Sequence, residues 1–222
     1  MKKEHILIIR FSALGDVAMA VPVVYSLAMT YPHVRITVLS RGFARPFFDD
    51  LAPNVSFMEA DIKGEYRGIK GLNALYRRLV AKKPTAVADF HGVLRSTYLR
   101  MRFNMERFRV EHINKHRSGK RALTSSSDKR MVQQPTSFDN YAEVLARLGY
   151  PIKLQFSSIF GNEGGDLSLL PAAIGKRNEG EQWIGTAPFA AHKGKVYPPE
   201  TPQRVLDLLE ETKTHGRILL SG

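Results

Sequence analysis

The sequence predicts an α/β protein whose first part is a doubly wound parallel sheet. Short apolar runs of strand length alternate with amphipathic segments of helical length, and glycine or polar residues mark most of the changes between them. A helix between two strands returns the chain to the edge where the first strand began, so the two strands run parallel. Folds of this kind bind ligands at the carboxyl ends of their strands.

The first strand, turn and helix are predicted over residues 6–31. Residues 6–9 form a continuous apolar run, which is typical of a strand buried on both faces of a sheet. Residues 12–15, Ser-Ala-Leu-Gly, form a compact turn, and apolar residues then recur at helical spacing as far as Tyr31. Pro22 lies inside this helix, where its missing amide N–H should cost one hydrogen bond and kink the helix.

The elements that follow repeat the same alternation. Further strands are predicted over residues 34–40, 55–60, 84–90 and 106–113, and helices over residues 41–51, 72–82 and 138–148. Gly149 follows the last of these helices and suits a left-handed cap. We therefore expect a first domain over residues 1–150.

The remainder of the sequence predicts an incomplete second domain. Residues 151–182 are rich in glycine and proline and predict a linker, with one short strand at residues 154–160. A strand, a helix and a second strand follow at residues 183–190, 201–212 and 217–220. Such a unit leaves both sheet edges unpaired, so we expect residues 183–222 to be the start of a second domain in a truncated chain. Alternatively, this unit packs on the first domain as an extra layer.

Composition limits the classes of function. The chain has no cysteine, which excludes disulfides, thiolate metal sites and a cysteine nucleophile. The formal net charge of +12 at pH 7 predicts an anionic partner, and leaves open whether that is nucleic acid, an acidic membrane face or a phosphorylated substrate. No stretch approaches the roughly 20 apolar residues that span a bilayer, and the amino terminus does not resemble a signal peptide. We expect a soluble, cytoplasmic protein.

Two groups of polar residues fall at the expected carboxyl edge of the sheet. The first group is Ser12, Gly15 and Asp16, and the second is Asp89, His91 and Arg95. Titratable residues gathered at one edge of a sheet indicate a functional site. The alternative is structural: Asp16 and Asp89 cap the helices that follow them, and His91 packs against its own loop.

The segment at residues 114–136 lacks hydrophobic periodicity and is strongly basic. It carries six lysine and arginine residues against the single acid Asp128. A loop of this length in a compact domain is more often functional than a short one, and arginine suits bidentate contacts with phosphate or carboxylate. The alternative is a solvated loop with no ligand.

Four blocks of the sequence together resemble the bacterial heptosyltransferases of lipopolysaccharide core synthesis, glycosyltransferase family 9. In chain order they are ILIIRFSALGDVAMAVPVVYSL, AVADFHGVLRS, FDNYAEVLARLG and IGTAPFAAHKGKVYPPE. The SALGD turn is the most specific of them. The resemblance covers essentially the whole chain, but only the amino-terminal domain and the opening of the carboxyl-terminal domain of that family.

The resemblance implies a GT-B architecture of two Rossmann-like domains, the second of them incomplete here. Acceptor binds mainly to the first domain and nucleotide sugar mainly to the second in this family, and neither a metal nor another cofactor is required. Asp16 matches the family's catalytic base, which takes the proton from an acceptor hydroxyl as that oxygen attacks the anomeric carbon of ADP-heptose with inversion. A helix amino terminus at Asp16 suits this role, because it orients the carboxylate.

The resemblance also implies two binding groups. Lys195 matches the lysine that contacts the donor diphosphate, with Lys193 beside it, and Ser12 and Gly15 line the donor side of the cleft. His91, Arg95, Lys120 and Arg67 fall where the family binds its anionic Kdo-lipid A acceptor. The implied partners are an ADP-heptose-like nucleotide sugar, that acceptor, and the inner membrane surface as a peripheral contact. Nucleic acid is not an expected partner.

Other classes of function remain as alternatives. The chain could be a non-catalytic, acceptor-binding remnant of the family, or a transferase for a different nucleotide sugar. A nicotinamide-dependent oxidoreductase should carry G-x-G-x-x-G after the first strand, and SALGD does not supply it. A nucleic-acid-binding protein would explain the charge, but the sequence contains no recognised DNA- or RNA-binding module.

Overall fold

A computed structural model describes residues 4–127, 129–160, 164–169, 171–174, 182–186, 194, 196, 198, 200–211 and 216–220. The chain divides into two compact units, Met1–Asn162 and Glu163–Gly222. The first unit contains the five-stranded sheet and the second contains a two-stranded sheet.

The first unit is built on five parallel strands. They are β1 (His5–Ile9), β2 (Arg35–Ser40), β3 (Val55–Glu59), β4 (Ala86–Asp89) and β5 (Arg109–His112). Their order in the sheet is β3-β2-β1-β4-β5, and every neighbouring pair is parallel. The chain therefore winds outward from β1 in one direction and then returns to add β4 on the other side. The switch in direction leaves a crevice at the carboxyl ends of β1 and β4.

Six α-helices accompany these strands in the described part of the first unit. They are α1 (Leu14–Ala18), α2 (Val21–Thr30), α3 (Gly68–Ala81), α4 (Leu94–Met105), α5 (Arg117–Thr124) and α6 (Ser137–Arg147), with a 3-10 helix at Gly42–Phe47. The 3-10 helix occupies the position of the helix predicted over residues 41–51. The doubly wound α/β fold predicted from the alternating pattern is confirmed.

Both faces of the central strand are buried, as its apolar sequence predicted. Ile6 and Ile8 point into one core, which α2 and α6 cover, whereas Leu7 and Ile9 point into the other, which α3 and α4 cover. Side chains alternate between the faces of a strand, so an uninterrupted apolar run is required when both faces carry helices.

The predicted kink at Pro22 is wrong. The first helix is instead divided before the proline: α1 ends at Ala18 and α2 begins at Val21. Pro22 lies in the first turn of α2, where an amide N–H has no partner within the helix. Proline is therefore accommodated without the loss of a helical hydrogen bond.

Two predictions about the connecting segments are also corrected. The basic segment at residues 114–136 is not a loop throughout, because it contains α5. Residues 154–160 do not form a strand. They lie against α2 instead, where Ser26 Oγ accepts a hydrogen bond from the amide of Gln155 at 2.9 Å and Phe156 packs on the core.

The second unit contains a strand, a helix and a strand, as predicted. They are β6 (Gln182–Thr186), α7 (Glu200–Glu211) and β7 (Gly216–Leu220), and the two strands pair in parallel. The strand predicted over residues 183–190 is described as far as Thr186, and the rest of it lies outside the described residues.

The two-sided core leads to a stability prediction for α4. Leu99 is completely buried, whereas Met105 at the end of the same helix is 72% exposed. We expect Leu99→Ala to lower the free energy of unfolding by about 2–5 kcal/mol, because it removes buried surface and leaves a cavity. Met105→Ala is the control and should change it by less than about 0.5 kcal/mol. Urea denaturation followed by far-UV circular dichroism measures both, and equal losses would contradict the assignment of this core.

Candidate active site

The candidate site lies at the switch point of the sheet. Strands β1 and β4 are neighbours, and their last residues, Ile9 and Asp89, are paired in register. The turn that begins α1 and the loop that precedes α4 therefore leave the sheet side by side. This is the edge at which the sequence predicted a functional site.

Asp16 is held at the start of α1 by two contacts. Its Oδ2 lies 2.5 Å from a guanidinium nitrogen of Arg10, and the same oxygen accepts a hydrogen bond from the amide of Ala13 at 3.3 Å. The Asp16 side chain is 46% exposed and that of Arg10 is 9% exposed. The cation therefore lies beneath the carboxylate, which faces solvent.

Arg10 is fixed in turn by β4 and α6. Its Nη1 donates to the carbonyl of Phe90 at 2.6 Å, and its guanidinium lies 5.9 Å from the centre of the Tyr141 ring. The Tyr141 hydroxyl donates to the backbone carbonyl of Asp16 at 3.1 Å. Arg10 was missed as a site residue. The signal was present, because an arginine that ends a buried apolar strand requires a counter-charge nearby.

His91 is a neutral neighbour of this pair. It is 8% exposed, and its Nδ1 accepts a hydrogen bond from the amide of Phe11 at 3.5 Å. Nε2 lies 3.5 Å from Ser12 Oγ, so the amide contact assigns the ring proton to Nε2. Burial, followed by the nearby positive charge of Arg10, lowers the pKa of His91 to about 4.

Asp89 is structural, but it does not cap α4. It is completely buried, and its Oδ1 accepts hydrogen bonds from the amides of His91 and Gly92, each at 2.9 Å. The residue at the cap position of α4 is Val93. The structural alternative for Asp89 is therefore corrected: the carboxylate closes the turn that places His91 beside β1.

A cavity of about 350 Å³ joins these groups. Its lining consists of Arg10, Ser12, Ala13, Asp16, His91, Val93, Ile113, Asn114, Lys115, Lys120, Ser137, Asn140 and Tyr141. The lining has three cations, Arg10, Lys115 and Lys120, and one acid, Asp16. Burial and then the charges of Arg10 and Arg117 lower the pKa of Lys115. The cavity therefore favours an anionic ligand that presents a hydroxyl to a carboxylate.

The structure brings together only part of the predicted site. Ser12, Asp16, His91 and Lys120 line the same cavity. Gly15 lies in the first turn of α1 and is exposed, and a Cβ placed there would meet no described atom within 4 Å beyond its chain neighbours and the backbone of its own helix.

The other predicted residues lie elsewhere or are not described. Arg95 lines an adjacent cavity of about 560 Å³ with Ile69, Leu94 and Tyr98, and Val93 borders both cavities. Arg67 is exposed at the cap position of α3, next to the cavity that Arg95 lines. Lys193 and Lys195 lie outside the described residues.

The described residues contain neither a candidate metal centre nor a candidate membrane span. No group of three or more histidine, aspartate or glutamate side chains in the described ranges is placed to hold a metal ion. No helix in that part of the chain combines the length and the apolar character needed to cross a bilayer.

The comparisons with known proteins identify the fold of the chain as one that glycosyltransferase structures share. No protein-family model matches the chain, and no curated protein matches it by sequence. Solved structures do match, and the likeness of fold to glycosyltransferase family 9 that the sequence motifs predicted is confirmed.

Three of the similar structures are bacterial. A family 9 glycosyltransferase from Veillonella parvula has a TM-score of 0.62 at 18% identity, and covers 99% of this chain and 70% of its own. E. coli heptosyltransferase WaaC with ADP-2-deoxy-2-fluoro heptose has a TM-score of 0.66 at 18% identity. The alignment covers 98% of this chain and 69% of the WaaC chain. E. coli ADP-heptose LPS heptosyltransferase II has a TM-score of 0.53 at 17% identity. The alignment covers 97% of this chain and 63% of the heptosyltransferase II chain. At these identities the likeness establishes the fold.

The environment of His91 leads to a testable pKa. We expect the imidazole signals of His91 to titrate near pH 4 in the folded protein and near 6.5 in the urea-unfolded chain, when followed by NMR. Only the unfolded chain takes up this proton between those values, so the free energy of unfolding should fall as the pH is lowered from 6.5 toward 4. A folded-state pKa of 6.5 would contradict burial against Arg10.

Proposed function

We propose that the chain is the acceptor-binding part, with the beginning of the donor-binding part, of an inverting glycosyltransferase of the heptosyltransferase type. The observation that carries this proposal is the solvent-facing carboxylate of Asp16, held by Arg10 in a cationic cavity at the switch point of the sheet. A carboxylate in this position has the exposure needed to meet a substrate hydroxyl and the fixed orientation needed to take its proton.

In the proposed reaction, Asp16 accepts the proton of an acceptor hydroxyl. The hydroxyl oxygen attacks the anomeric carbon of the sugar donor from the face opposite the nucleotide. The new carbon–oxygen bond forms as the bond to the diphosphate breaks, and the configuration at that carbon inverts. Arg10 and the Ala13 amide both contact Oδ2, and among the described residues no hydrogen bond is made to the other carboxylate oxygen. That second oxygen is the one we assign to the hydroxyl.

The neighbouring groups suit a sugar that carries an acid. The neutral imidazole of His91 and the Ser12 hydroxyl offer hydrogen bonds to sugar hydroxyls. Lys115 and Lys120 supply positive charge in the same cavity, which suits the carboxylate of a Kdo sugar. We therefore assign the acceptor to the Kdo and core region of lipopolysaccharide.

The lipid part of such an acceptor suits the cavity that Arg95 lines. Leu94 is 91% exposed and Ile69 is 67% exposed, and both lie beside Arg95. Apolar side chains next to an arginine match a lipid with an anionic head group. This surface supports a cytoplasmic enzyme in peripheral contact with the inner membrane.

The proposed donor is ADP-heptose or a related nucleotide sugar. One similar structure is of E. coli heptosyltransferase WaaC with ADP, and another is of WaaC with ADP-2-deoxy-2-fluoro heptose. For this chain, the resemblance of its motifs supports Lys195, with Lys193 beside it, as the cation that contacts the diphosphate.

The alternatives are a non-catalytic acceptor-binding protein and a transferase for another sugar. The chain spans 63–70% of the length of the bacterial structures described above. Transfer assays should therefore compare the 222-residue chain with an extended form of it, using ADP-heptose, UDP-glucose and a Kdo-lipid acceptor. Acceptor binding without transfer in both forms would favour the non-catalytic alternative.

We expect Asp16→Asn to lower kcat by at least about a hundredfold in whichever form transfers sugar, because it removes the base. Acceptor affinity should remain within about threefold, since the amide preserves the shape of the side chain. Asp49→Asn is the matched control, because Asp49 is also exposed and paired with an arginine, at 3.7 Å from Arg45, but lies outside the cavity. Unchanged kcat in Asp16→Asn would refute the assignment of the base.

The donor side has a separate prediction. Lys195→Ala should lower kcat/KM for the nucleotide sugar by about a hundredfold, because one cation that stabilises the departing diphosphate is lost. Lys153→Ala, at an exposed position in the first unit, is the control and should leave kcat/KM within about twofold. Steady-state kinetics at saturating acceptor measure both variants, and equal effects would indicate a response to net charge alone.

A further inference from the structure

A second cationic cavity lies beside the cavity of Asp16. Its volume is about 600 Å³, and its charged lining consists of Arg100, Glu111, Lys115, Arg117 and Arg147. Only Lys115 of these five residues also lines the Asp16 cavity. The second cavity is formed by the end of β5, the start of α5 and one side each of α4 and α6. Of the residues implied by the family resemblance, none that the structure describes lies in it.

The acids near this cavity already have partners. Arg147 contacts Glu111 at 3.0 Å, and it also pairs with Glu143 on its own helix. Arg100 lies 3.5 Å from the buried carboxylate of Asp89. These contacts account for two of the four cations.

The other two cations, Lys115 and Arg117, have no acidic partner within 4 Å among the described residues. Lys115 instead lies among other cations, because burial and then the charges of Arg10 and Arg117 lower its pKa. The pKa of His112, which also lines the cavity, is lowered by burial and then by Arg100. Like charges thus converge on one cavity, and a bound anion would relieve their repulsion.

The start of α5 adds to this field. Arg117 is its first residue, and His116 at the cap position makes no side-chain capping hydrogen bond. Both residues line the cavity, so the positive end of the helix dipole faces the same space.

We infer that this second cavity binds a phosphate or carboxylate group through Lys115 and Arg117. Because Lys115 borders both cavities, the anion lies next to the hydroxyl that Asp16 would activate. The group therefore belongs to the acceptor, on a sugar adjacent to the one that is attacked. This last step rests on the proposed function, whereas anion binding itself does not.

Direct binding tests the site. Isothermal titration with inorganic phosphate and with free Kdo compares the two chemistries, and the tighter probe identifies the group that is preferred. Arg117→Ala should weaken the tighter probe about tenfold, because one charge-assisted contact is lost. Arg121→Ala on the same helix lines neither cavity and should leave the affinity within about twofold. Equal affinity in wild type and Arg117→Ala, an equal loss in Arg121→Ala, or no binding of either probe would overturn the inference.

A second measurement separates this inference from the proposed function. In a transfer assay, Arg117→Ala should raise KM for an acidic acceptor about tenfold and leave kcat within about twofold of the wild-type value. Asp16→Asn should instead lower kcat. The affinities of Asp16→Asn for phosphate and for free Kdo, measured by titration, should equal those of the wild type. Binding that depends on Arg117 in a chain that transfers no sugar would uphold the anion site and reject the transferase. Transfer that is insensitive to Arg117→Ala would reject the assignment to the acceptor.

Discussion

The buried guanidinium of Arg10 is the constraint on which the rest of the site depends. A charge at the end of the central strand is stable only when it is paired and hydrogen-bonded, since breaking a buried pair costs about 3–5 kcal/mol. Its partners come from three other elements: Asp16 from α1, the Phe90 carbonyl after β4, and the Tyr141 ring from α6. The requirement to satisfy one cation therefore fixes the carboxylate, the neighbouring strand end and the covering helix relative to one another.

The same cation sets the electrostatics of its surroundings. It contributes to the low pKa values of His91 and Lys115, so the cavity combines a neutral imidazole with closely spaced positive charge. Asp16 is the acid in that lining, and it faces solvent above its partner. In a site of this kind, the cations attract an anionic substrate, whereas the uncharged groups and one carboxylate contact the hydroxyl groups of that substrate.

The sequence predicted the strands and the corner at Asp16 because apolar runs and small turn residues are local signals. It did not predict which polar residues share a cavity. Arg95 follows the same strand end as His91, but it is the second residue of α4 and lines the adjacent cavity. Arg10 was overlooked although Asp16 is near it in sequence, because its other contacts, with Phe90 and Tyr141, are distant in sequence. The predicted kink at Pro22 was wrong because the helix divides before Val21, which places the proline in the first turn of α2.

Gly92 shows how closely the two cationic cavities are coupled. Its φ is +59°, and a Cβ there would lie 3.2 Å from the side chain of Lys115. A side chain at this position would strain the turn and press on Ile113 and Lys115. A change at Gly92 would therefore reach both cationic cavities at once, because Lys115 lines each of them.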